Sequence, residues 1–167
     1  MLINTMPARC YFACLLLCLF CGCGGGGGAG AGQSFQVTRP TNDAKGAADF
    51  SFDDPSFAGH IVIQIEFNDA VDENTVTVGK TLLLDTPLDH QAGGTLSWPN
   101  SKTLIFTTAK TRKELLPQGG PDAGFTLSLL GTDKGNGVIK ASNGTVLDGD
   151  KDGTPGGDHK NSFLLPG

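Results

Sequence analysis

The sequence predicts an all-β chain, an antiparallel β-sandwich of about seven short strands. Three observations point there. Apolar residues recur at every second position in several short runs. Glycine, proline and asparagine interrupt those runs at close intervals. Helical spacing is confined to Lys110 to Leu116, a single turn that Pro117 ends.

Taken in order, the first strand is a weak one, Phe35 to Thr38. The stretch from Pro40 to Gly59 carries no assignable pattern. The clearest strand is His60 to Phe67, where Ile61, Ile63, Ile65 and Phe67 share one face and Gln64 and Glu66 the other. Such alternation means one face in the core and one in water. Thr75 to Val78 and Lys80 to Leu84 are weaker candidates. Thr95 to Trp98 and Thr103 to Thr107 form a hairpin across a Pro99-Asn100-Ser101-Lys102 turn, with Leu96, Trp98, Leu104 and Phe106 inward. Phe125, Leu127 and Leu129 place Phe125 to Leu129 on the core, and Ser162 to Leu165 is the last strand. Asn143-Gly144-Thr145 has the form of a glycosylation sequon, but Asn-Gly is also the type I′ turn dipeptide, and the turn is the better reading.

Ahead of these strands the composition changes. All five cysteines lie between Cys10 and Cys23, and none follows. Cysteines for a disulfide framework or a metal would be spread through the folded part. These instead lie in or beside an apolar run, Tyr11 to Cys21, preceded by Arg9 and followed by small residues. That is the form of an export signal. The run is too short for a spanning helix, which needs about 20 apolar residues. Gly24 to Gly32 holds only glycine and alanine, the composition of a flexible linker. No strand precedes this glycine run and no helix follows it, so a dinucleotide-binding turn has no support.

Phe20-Cys21-Gly22-Cys23 resembles the lipobox of bacterial lipoproteins, in which a cysteine follows an apolar residue and two small ones. The resemblance implies cleavage before Cys23 and acylation of Cys23, with the lipid as membrane anchor. The alternative is ordinary signal cleavage near Ala29-Gly30-Ala31, which would release a soluble secreted protein. The expected organisation is a signal over 1–22, a tether over 23–33 and one domain over 34–167. Gly24, which is not Asp, gives no reason for inner-membrane retention, so an outer-membrane or surface location is expected. Without Arg9 the chain keeps 11 of its 12 basic residues and all 17 acidic ones, a formal charge of −6. That charge disfavours nucleic acid and anionic lipid as partners.

Ile63 to Phe67 followed by Asn68-Asp69-Ala70-Val71-Asp72-Glu73-Asn74-Thr75-Val76 resembles the opening of a bacterial Ig-like domain of the S-layer, SbsA type. Gly94 to Trp98 with Thr103 to Phe106 is similar to that family's central hairpin, and Phe125 to Leu129 to its penultimate strand. Gly137 to Gly149, with Asn143-Gly144 leading to Leu147-Asp148, is similar to its closing loop. The resemblance spans roughly 59–165 and implies an Ig-like sandwich with a structural or adhesive role at the cell surface, partnered by an envelope protein or a glycan.

Candidate chemistry lies in Leu147-Asp148-Gly149-Asp150-Lys151-Asp152-Gly153-Thr154-Pro155-Gly156-Gly157-Asp158. Asp148, Asp150 and Asp152 stand at positions one, three and five, with Gly153 at six, as in the first half of a calcium loop. Alternate spacing lets a tight loop aim several oxygens at one cation. Thr154 would add its carbonyl. His159 stands where the bidentate glutamate of an EF-hand belongs, so Asp158 is the expected substitute. The competing reading is an acidic turn with no ion.

Other constellations carry less. His60, His90 and His159 lack zinc spacing, and His60 reads as a surface residue at a strand start. No serine lies in a nucleophile elbow. Asp53-Asp54 and Asp72-Glu73 read as loop residues rather than a glycosidase pair. Trp98 reads as a core residue; an exposed Trp98 would favour a small-ligand or glycan-binding lipoprotein instead. No catalytic activity is expected.

Overall fold

The computed structural model describes residues 33–40, 50–52, 58–117 and 123–165. The expected signal, Cys23 and the glycine run 24–32 lie outside these residues, as does most of 40–59. Among the described residues eight strands form two antiparallel sheets: β1 (Val37–Arg39), β2 (Phe50–Phe52), β3 (His60–Phe67), β4 (Leu82–Asp85), β5 (Gly94–Asn100), β6 (Thr103–Thr111), β7 (Ala123–Leu129) and β8 (His159–Leu165). The only α-helix among them is α1 (Arg112–Leu115), one turn as expected. No helix among them is long and apolar enough to cross a membrane.

The first sheet runs β1-β3-β6-β5, with β2 beside β1 along the same side of β3. The second runs β4-β7-β8. The chain is therefore an all-β sandwich. Its core joins both sheets: Ile61, Ile63, Ile65 and Phe67 of β3 and Leu104 and Phe106 of β6 lie in one cluster with Leu82 and Leu84 of β4, Phe125, Leu127 and Leu129 of β7 and Phe163 of β8. Each of these side chains contributes about 1.5–3 kcal/mol on burial. The phase read from alternation in β3, β6 and β7 is the observed one. Trp98 and Leu96 pack against this core but stay half-buried, so Trp98 is neither a full core residue nor an exposed platform. His60 is half-buried rather than a free surface residue.

Three local expectations are corrected. Thr75 to Val78 is not a strand. Asp72 instead folds the chain into a 3-10 turn over Glu73–Thr75: its backbone carbonyl accepts from Thr75 N at 2.9 Å and from Thr75 Oγ1 at 2.6 Å, and its carboxylate from Asn74 N at 3.2 Å. Local side-chain and turn bonds of this kind compete with a ladder. The β5–β6 turn is shorter than its composition suggests. Pro99 and Asn100 still belong to β5, and Ser101-Lys102 alone make the loop. Pro99 is tolerated because β5 is an edge strand, where a missing N–H breaks no ladder. Asn143-Gly144 is a turn but not type I′. Gly144 N donates to Ala141 O at 2.8 Å and Gly144 has φ +88°, while Asn143 keeps negative φ. This is a type I turn followed by a left-handed glycine, the three-residue hairpin loop.

β3 and β6 slip register between His60 and Val62. Thr108, buried at the slip, repairs it: its Oγ1 accepts from Ile61 N at 3.0 Å and donates to Lys110 O at 2.8 Å. A bulge thus leaves no orphaned donor at Ile61.

Candidate metal site

The loop between Leu147 and β8 is closed at its base by backbone. Gly149 N donates to Gly156 O at 2.9 Å and Gly156 N to Leu147 O at 2.9 Å. Residues between these ties form a compact acidic lobe. One carboxylate oxygen from each of Asp148, Asp150 and Asp152 lies within 4.8 Å of the other two. Asp150 and Asp152 are exposed and Asp148 is fully buried. The lobe bends through two left-handed residues, Lys151 at φ +62° and Gly153 at φ +90°. Gly157, itself left-handed at φ +72°, is required for a second reason: a Cβ there would collide with the Asp150 carboxylate. The absence of that methyl lets Asp150 fold inward toward its partners.

Asp148 is the organised member. Its Oδ2 accepts from Gln36 Nε2 at 2.6 Å and from Gly153 N at 3.1 Å. Its own N–H donates to Phe35 O at 2.8 Å. Its Oδ1 is buried and accepts no hydrogen bond. Burial works against its charge, but hydrogen bonds from Ser34, Gln36, Gly153 and Lys151 outweigh it and hold the carboxyl below the usual range. Asp148 is thus an anion kept dry, with one oxygen unsatisfied and two further carboxylates close by. Like charges so placed repel unless a cation lies among them. The donor set is all hard oxygen, which suits a cation such as Ca²⁺, Mg²⁺ or Mn²⁺.

Asp152 Oδ1 also accepts from Thr154 N at 2.7 Å, which fixes the turn after Gly153. Asp158 does not join the group. Its Oδ2 pairs with Lys134 Nζ at 2.8 Å and its Oδ1 accepts from Thr132 N at 3.1 Å. Burial disfavours its charge, yet Lys134 and the Thr132 and Gly131 amides hold its carboxyl low. His159, next to it, is fully buried at the start of β8 and is not one of the clustered ligand groups. Sequence reasoning missed Ser34 and Gln36, which lie in the N-terminal segment. No local signal marks them, since Gln36 meets Asp148 across 112 residues.

The remaining candidates are separate. Asp72 and Glu73 serve the 3-10 turn. Asp53-Asp54 lies outside the described residues. His90 Nδ1 lies 2.8 Å from Asp85 Oδ1, both exposed. A polar cleft of about 380 Å³ opens between the 3-10 turn and the 133–140 segment, with Lys80, Lys140, Asp133, Asn136 and Thr77 in its lining and no aromatic side chain. Trp98 is not part of it. A scan against protein-family models gives no match to this chain, and no curated protein matches it.

Proposed function

We propose that this chain is a lipid-anchored Ig-like module of the bacterial cell envelope, structural or adhesive rather than catalytic, whose last loop binds calcium. The observation that carries the calcium reading is Asp148: a buried carboxylate with one unpartnered oxygen, gathered with Asp150 and Asp152. Calcium takes six to eight oxygens in flexible geometry, so three carboxylates, the Thr154 carbonyl and water are an adequate set. Magnesium demands a stricter octahedron and gives up its water reluctantly. The anchoring reading is supported by the Phe20-Cys21-Gly22-Cys23 sequence and the glycine run behind it. The SbsA-type reading is supported by the order of its sequence pieces along a two-sheet, all-antiparallel chain.

An ion that binds only the folded form stabilises it by RT ln(1 + [Ca]/Kd). For a Kd near 0.1 mM, as in extracellular modules, 10 mM calcium adds about 2.7 kcal/mol. Asp150→Ala and Asp152→Ala are each expected to abolish that gain. They should cost little in chelator, because each also relieves repulsion within the lobe. Thermal melts with calcium and with chelator test this, and a wild-type melt unmoved by calcium would remove the site. The anchor is tested by Cys23→Ser, which should leave an uncleaved precursor lacking the lipid. Normal maturation and unchanged membrane fractionation of that variant would overturn the lipoprotein reading.

A further inference from the structure

Gln36 lies four residues past the glycine run, and the fold grips it firmly. Its N–H donates to Asn68 Oδ1 at 2.8 Å, and its carbonyl accepts from Asn68 N at 3.1 Å. Asn68 Nδ2 in turn donates to Ser34 O at 2.6 Å. With its backbone fixed, the Gln36 side chain reaches Asp148, and Nε2 donates both to Asp148 Oδ2 at 2.6 Å and to Ser34 Oγ at 2.7 Å. The neighbouring Phe35 carbonyl takes the Asp148 N–H. Asp148 is therefore held, by backbone and side chain, on residues 34–36 rather than on its own loop alone.

This arrangement divides the labour of the carboxylate. Gln36 Nε2 and the Gly153 backbone N–H both donate to Oδ2, and Oδ1 is left bare. A donor that fixes one carboxylate oxygen sets the direction of the other, and such outer partners tune metal affinity. We infer that Gln36 is the positioning residue of the cation site, and that the bound cation in return fastens the segment 34–36 where the chain leaves the glycine run. The inference rests on the calcium reading above. The coupling is reciprocal by thermodynamic necessity: whatever factor the ordered segment adds to cation affinity, the cation adds to the order of the segment.

The test uses the full chain and calcium itself. Calorimetric titration of Gln36→Met, which keeps side-chain bulk but removes the donor, should show calcium affinity about tenfold weaker than wild type. Gln36→Ala should behave alike, and Gln36→Met serves if the smaller side chain prevents folding. Hydrogen exchange supplies a second readout. The Gln36 and Asp148 amides should exchange about tenfold more slowly with calcium than with chelator in wild type, and equally in Asp150→Ala. A purely structural Gln36 would lower the melting temperature in chelator yet leave the calcium Kd of the folded protein unchanged. Wild-type affinity in Gln36→Met therefore overturns this inference alone. Absence of calcium uptake by the wild type overturns the cation reading and this inference with it.

Discussion

His159 opens β8 with its ring fully buried and neither ring nitrogen in a hydrogen bond. Burial, and then the charge of Lys151, push its pKa down from 6.5 to about 4, against smaller opposing contributions from the Gly149 and Pro40 backbone. Unfolding returns the ring to water. Between the two values the unfolded chain binds a proton that the folded chain refuses, so stability must fall as pH drops from 6.5 toward 4. The full span corresponds to about 3 kcal/mol. Asp148 works in the same direction at lower pH. Its folded carboxyl is held low, so its stabilisation is present at neutral pH and is lost as pH falls through the folded value. We expect urea melts of the wild type to weaken between pH 7 and pH 5, a window above most carboxylate titration, and His159→Leu to flatten that slope. A wild type equally stable at both values would mean that the ring is not stored neutral. The sequence places His159 at the glutamate position of a cation loop, and the reason is legible. The inward positions of β8 are His159, Asn161 and Phe163, two of them polar, so the strand carries no apolar alternation until Phe163.

Strands announce themselves in the sequence when their buried positions are apolar and their exposed ones polar. β3 meets that condition from Ile61 to Phe67 with one exception, the outward Val62, and its phase, length and neighbours' phases are readable. The segment after Asp72 fails it, because one aspartate captures two downstream N–H groups before a ladder can. Phe106 lies at the centre of the readable part, paired laterally with Ile63 on one side and Leu96 on the other. Gln64, on the wet face of β3, bonds only to Glu66 Oε1 at 2.7 Å in exposed surroundings. Phe106→Ala should therefore cost about 3–5 kcal/mol, and Gln64→Ala no more than about 0.5 kcal/mol. Chemical denaturation of the two variants checks this, and equal losses would mean that the inward and outward faces of β3 and β6 are exchanged.

Across the molecule, two sheets follow from alternation, but their pairing order does not. Of the antiparallel strand pairs among the described residues, only β5–β6 is joined by a two-residue loop. The pairs β3–β6 and β7–β8, and the Gln36–Asp148 contact beneath the acidic lobe, join residues far apart in the chain. Nothing local encodes such meetings; they exist because burying the apolar faces of both sheets leaves few other arrangements.

The Gln36–Asp148 contact also bears on the stage of folding at which a bound cation would act. Closing 112 residues costs more chain entropy than closing the β5–β6 hairpin, so the clasp is expected to form after the hairpin. Interactions absent from the folding transition state change the rate of unfolding and leave the rate of folding alone. Stopped-flow traces should then show calcium slowing unfolding of the full chain about 100-fold at a hundred times Kd, with the refolding limb unmoved. A calcium-dependent refolding rate would place the clasp in the nucleus instead. If the clasp does close late, bound calcium would set how long the folded state endures rather than how fast it is reached.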